Sequence, residues 1–78
     1  MTQQERVLKY LQDFGSITQL EALRDLGVMR LASRISDLRQ AGYKIETETI
    51  HSENRYGKPT HYAKYILNKE PVQTRMDI

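Results

Sequence analysis

The 78-residue chain suffices for one domain with a small core and is too short for two; a chain this size buries only about 60–65% of its unfolded surface. It has no cysteine, which excludes a disulfide framework, a thiolate metal site and a thiol nucleophile. Net charge is only +2, and no apolar run approaches the roughly 18 residues that cross a bilayer. No signal-peptide pattern opens the chain, whose first apolar residues are interrupted by Lys9, Gln12 and Asp13. A cytoplasmic protein with no membrane partner is therefore expected.

Thr2 to Asp13 is predicted to form the first helix. Thr2 and Glu5 have capping-box spacing, Val7, Leu8, Leu11 and Phe14 share one stripe, and Gly15 is the stop. Ser16-Ile17 is short enough for a single extended pairing. Thr18 opens a second helix with another capping box, Thr18 to Glu21. Its expected inner residues are Leu20, Leu23 and Leu26, with Ala22 permitting a close crossing. Gly27 suits the left-handed position that ends this helix. After a short turn at Val28-Met29, a third helix runs to about Gln40 with Gly42 as its stop. Its inner face is Leu31, Ile35 and Leu38. No strong N-cap residue precedes it.

The period then changes. Tyr43–Ile50 alternates polar with apolar or β-branched residues and reads as a strand; Thr60–Leu67, rich in aromatics, reads as its partner. The polar stretch Ser52–Pro59 between them carries Gly57 and Pro59 as breakers. Such a hairpin is marginal alone, so it must pack on the helices. Residues 1–67 are expected to form the domain, and 68–78, which lack periodicity, a flexible C-terminal tail.

The third helix carries the clearest functional signal. Its outer side presents Met29, Ser33, Ser36, Asp37 and Gln40, with Arg30 and Arg34 one turn apart on a flank. Arginines and short hydroxyls on a helix held by three aliphatics suit the DNA major groove. There an arginine fork can bond guanine or clamp a phosphate, and Met29 can touch a thymine methyl. The alternative is a solvated face with Arg34–Asp37 as a surface pair worth under about 1 kcal/mol. Residues 29–67 hold seven Lys or Arg against four acids, a local net charge of +3 that weakly favours phosphate contact.

The order of three helices and a two-stranded hairpin is that of a winged helix-turn-helix domain. The run Leu26-Gly-Val-x-Arg-Leu-Ala-x-Arg-Ile-x-Asp-Leu-Arg-x-x-Gly-Tyr-x-Ile45 resembles a family of small helix-turn-helix domains of phages and prophages. Asn54-Arg-Tyr-Gly57 resembles that family's wing. The resemblance covers roughly residues 3–67. It implies an α+β DNA-binding fold with the third helix as reader and the hairpin as wing, and it leaves the target open. The sequence departs from the broader pattern in its short, uncapped turn before the third helix.

The candidate DNA-binding residues are Gln19, Met29, Arg30, Ser33, Arg34, Ser36, Gln40, Asn54, Arg55, Tyr56 and Lys58. In the wing, Asn54, Arg55 and Lys58 flank a turn from which they can reach a minor groove or the backbone, with Tyr56 packing on a sugar or donating to a phosphate. An ordinary exposed loop is the alternative, and Glu46, Glu48 and Glu53 count against an electropositive wing. Gln19 stands at a helix start that can face the phosphate backbone. Asp37 is read as orienting Arg34, or pairing with Lys44 or Arg55, and Arg39 as structural. His51 and His61 are too few for a metal site without cysteine. No catalytic constellation is present, so no enzyme activity, cofactor or metal is expected. The reading that follows is a sequence-specific double-stranded DNA-binding protein, a small phage-type transcriptional regulator or excision factor, acting as a homodimer or as side-by-side copies. The alternative is a protein-interaction module, a phage-encoded inhibitor of a host protein.

Overall fold

Both capping boxes form in the computed structural model, which describes residues 1–68; the tail expected over 68–78 lies outside the described residues from 69 onward. Thr2 accepts from the Glu5 N–H at 3.1 Å while its own N–H donates to Glu5 Oε1 at 2.8 Å, opening helix α1, Gln3–Phe14. Gly15 ends it in the left-handed region at φ 86°. Val7 and Leu11 are buried as the stripe requires, and Leu8 packs beside them. Phe14 does not follow them: it is 70% exposed, its ring against Tyr10 at 4.7 Å. It has the right angle for the stripe, but it sits in the last turn, past the end of the core.

Strand β1, Ser16–Thr18, buries Ile17. Helix α2, Gln19–Glu21, begins at the second capping box and continues directly into a π-helical turn, Ala22–Leu26. The expected inner face is corrected here. Leu20 is 69% exposed and Leu23 also faces solvent, while Ala22 is fully buried and Leu26 packs against the core. Two stripes shared the helical spacing. The one bearing the small Ala22 turns inward, because so short a helix must approach its neighbours closely. The widened turn ends at Gly27, φ 70°, whose N–H donates to both Ala22 and Leu23 carbonyls.

Helix α3, Leu31–Gln40, buries Leu31, Ile35 and Leu38 as expected. It starts one residue later than the pattern suggested, so Arg30 joins Met29 outside the helix as its N-cap residue. Strand β2 is Ile45–Glu53 and β3 is Pro59–Leu67, so the hairpin begins later and extends further than predicted, shrinking the loop to 54–58. They pair antiparallel from Ile45 opposite Leu67 to Glu53 opposite Pro59. β1 pairs antiparallel with β3 on its other side, giving the sheet order β1-β3-β2.

The core joins Val7, Leu11, Ile17, Ala22, Val28, Leu31, Ile35, Leu38 and Ile45 from every layer of the fold. Only the base of the hairpin belongs to it, through Ile45, Tyr65 and Leu67. Beyond Ile50 on β2 and Ala63 on β3 both faces are exposed, so the outer part of the hairpin does not pack on the helices. At about 3.4 Å per residue, roughly 15 Å of hairpin stands clear of the domain.

Candidate nucleic-acid interface

The third helix has its missing N-cap, supplied from a distance. Gln19 Oε1 accepts from the Leu31 N–H at 2.9 Å and Gln19 Nε2 donates to the Val28 carbonyl at 2.9 Å. One amide thus satisfies a free helix-start donor and locks the preceding turn. Val28, read from sequence only as part of the short turn, is fully buried. It pins the turn to the core from below while Gln19 holds it from the side. Gln19 was a candidate for backbone phosphate contact; the structure commits both ends of its amide to this turn.

At the other end, Arg39 Nε and Nη2 donate to the Ile45 carbonyl at 3.0 and 2.6 Å, and Nη2 also donates to Thr47 Oγ1 at 2.9 Å. The last turn of α3 is so tied to the start of β2, and the structural reading of Arg39 holds with partners that sequence did not identify. With both ends anchored and three aliphatics buried, the outer face of α3 has a defined orientation.

That face gathers most of the candidates. Met29 is 76% exposed in the turn, Arg30 is exposed at the N-cap position, and Ser36 and Gln40 are exposed farther along. Ser33 and Arg34 are half-buried. Arg34 Nη2 lies 3.3 Å from Asp37 Oδ2, so Asp37 orients Arg34 rather than pairing with Lys44 or Arg55. Beside them lies an open cavity of about 450 Å³, lined by Gln3, Gly27, Met29, Arg30, Ser33 and Arg34. Gln3 was not singled out from sequence. It opens α1, and only the packing of α1 on α3 carries it to the arginines.

The wing tip is built by Asn54. Its Oδ1 accepts from the Tyr56 N–H at 2.9 Å and the Lys58 N–H at 3.1 Å, while its backbone N–H donates to the Lys58 carbonyl at 2.9 Å. Gly57 completes the turn at φ 77°. Asn54 therefore shapes the loop that displays Arg55, Tyr56 and Lys58, all exposed. Glu46 and Glu48 lie on the sheet face away from the core, opposite Ile66 and Lys64, nearer the hairpin base than the tip. His51 and His61 face each other across the hairpin with ring centroids 6.3 Å apart.

A second polar cluster ties α1 to the π-helical turn that follows α2. Tyr10 Oη donates to Asp25 Oδ2 at 2.9 Å and Arg24 Nε to Asp25 Oδ1 at 2.9 Å. Arg24 first, then Tyr10, holds the Asp25 carboxyl below its ordinary pKa, and burial first, then this bond, raises the Tyr10 hydroxyl above its own.

Three helices, a sheet built on one hairpin and a wing projecting beyond a partly exposed third helix define a winged helix-turn-helix domain, an architecture of DNA-binding proteins. The family model of the winged helix-turn-helix domain matches residues 2–70, and the chain belongs to that family. No curated protein and no solved structure matches it.

Proposed function

We propose that this domain is a sequence-specific double-stranded DNA-binding protein, a small transcriptional regulator of phage type. α3 lies in the major groove and the wing reaches the adjacent backbone or minor groove. The observation that carries the reading is the outer face of α3, where Met29, Arg30, Ser36 and Gln40 stand exposed on a helix anchored at both ends. In this reading Ser33 and Arg34 complete the surface, and Arg55, Tyr56 and Lys58 give the wing tip its contacts. A single reader helix makes few base contacts, so the protein acts as a dimer on a two-fold site or as copies side by side.

Selection from a randomised duplex pool tests this. The expected result is an enriched motif, palindromic for a dimer, whose affinity falls steeply between 50 and 200 mM salt as phosphate contacts require. No enriched motif together with salt-insensitive binding would sink the reading.

One observation favours the second reading, a module that binds a host protein. Leu20 is largely and Tyr62 about half exposed beside an apolar groove of about 520 Å³ between α2, the start of α3 and β3. Co-purification of one host protein in fixed ratio, with no retained DNA, would move the assignment there.

A further inference from the structure

We propose that the cavity between the start of α1 and the flank of α3 binds one phosphate of a DNA backbone, with Arg34 and Arg30 as its cationic ligands. Arg34 then positions the domain on the duplex and does not read a base. The proposal rests on the DNA-binding reading and assigns its most ambiguous arginine.

The lining of the cavity is that of an oxyanion site. Arg30 and Arg34 contribute two positive charges, Ser33 a hydroxyl and Gln3 an amide. The carboxylate on Arg34, Asp37, leaves this cluster with a net positive charge. Two guanidinium groups, a hydroxyl and an amide lining one space suit a tetrahedral anion, which accepts from all sides, better than the flat edge of a base. The cavity lies between elements packed on each other, so it exists before any ligand arrives.

Arg34 itself is poorly placed to reach a base. A guanine contact needs the guanidinium extended from the helix as a free fork. Here the side chain is half-buried along the flank, and Nη2 is held by Asp37 one turn onward. Its Nε is buried with no hydrogen-bond partner, the one such side-chain nitrogen or oxygen among the described residues. An unpartnered buried N–H is costly and calls for a reason. The free domain thus holds an arginine whose donors are incompletely used, beside a space with room for an acceptor; Nε is closed to that space in the free domain, so a small turn of the side chain accompanies its use. Met29, Ser36 and Gln40 remain the side chains free to meet base edges.

The test measures the salt dependence of binding to a 20-base-pair duplex of mixed sequence, followed by fluorescence anisotropy from 50 to 200 mM salt. Arg34→Gln is expected to weaken binding equally across different duplexes and to make the slope of log K against log salt shallower by about 0.9, one phosphate contact. Over that range the parent then loses about 3.5-fold more affinity than the variant. Arg34→Lys is expected to keep the slope, because a phosphate accepts a point charge where a base fork does not. Lys9→Gln, on the exposed side of α1 where Lys9 pairs with Asp13 at 3.4 Å, is the control and leaves the slope unchanged. Nitrogen-15 spectra of the full chain show the Arg34 Nε–H signal moving when the duplex is added. A full slope in Arg34→Gln with preference lost at one base pair would overturn the clasp and leave the DNA-binding reading standing. If the parent binds no duplex even at 50 mM salt, the DNA-binding reading fails, and the clasp with it.

Discussion

Replacing Gln19 by Ala separates its architectural role from a contact with DNA. The substitution removes an acceptor from the Leu31 N–H and a donor from the Val28 carbonyl, two bonds of 2.9 Å in a partly buried setting. A hydrogen bond of this kind contributes about 1 kcal/mol net, so the variant should be less stable by about 1–2 kcal/mol. For a domain of this size each kcal/mol lowers Tm by about 4–8 °C. A fall of between about 4 and 16 °C is therefore expected in a thermal melt followed by circular dichroism. The loss is local at first, so the Leu31 amide should exchange with solvent much faster than those of Ile35 and Leu38. Gln19→Glu should also destabilise, because a carboxylate can accept from Leu31 but cannot donate to Val28. A variant Gln19→Ala that melts within 1 °C of the parent and protects Leu31 as before would refute the capping argument and return Gln19 to the list of phosphate contacts.

Arg39→Ala frees the last turn of α3 from the start of β2 and should cost about 1.5 kcal/mol, at the low end for charge-assisted bonds because the site is part-exposed, with Tm about 6–12 °C lower. Gly27→Ala adds a Cβ where nothing lies within 4 Å, so the expected loss of about 1–2 kcal/mol is left-handed backbone strain alone, and Gly27→Asn should lose less; chemical denaturation measures both. The folded-state pKa of Asp25 is depressed, so its brace between the first two helices contributes stability above the ordinary carboxylate pKa and loses it as pH falls through the lowered value. Carbon-13 titration of the Asp25 carboxyl should show a midpoint below that of an unstructured aspartate, and Tyr10→Phe should move it upward.

The parts of the fold set by neighbours in the chain were legible in the sequence. Capping boxes at Thr2 and Thr18 involve residues three apart, glycines at 15, 27 and 42 end their helices through their own backbone freedom, and alternation marked the first strand of the wing while aromatic content marked the second. The stripe Leu31, Ile35, Leu38 pointed to a buried face because three aliphatics at that spacing have no other use. Candidate contacts on the opposite side of α3 followed from the same geometry. The exceptions were places where two local patterns competed. Leu20 and Leu23, three apart, and Ala22 and Leu26, four apart, both fit a helical stripe, and only the closeness of the neighbouring helices selected the smaller side chain for the interior.

What tertiary structure alone decided lies between residues far apart in the chain. The sequence by itself determined that a third helix with an arginine-bearing outer face would be followed by a wing. It could not show that Gln19 caps that helix from twelve residues away, that Val28 buries itself to hold the turn, or that Gln3 closes a cavity beside Arg30 and Arg34. Helical periodicity follows from bonds three and four residues apart, so one sequence contains it. A long-range hydrogen bond or a shared cavity exists only after the core has fixed how the helices cross, and that crossing sets which side chains of α3 stand outward.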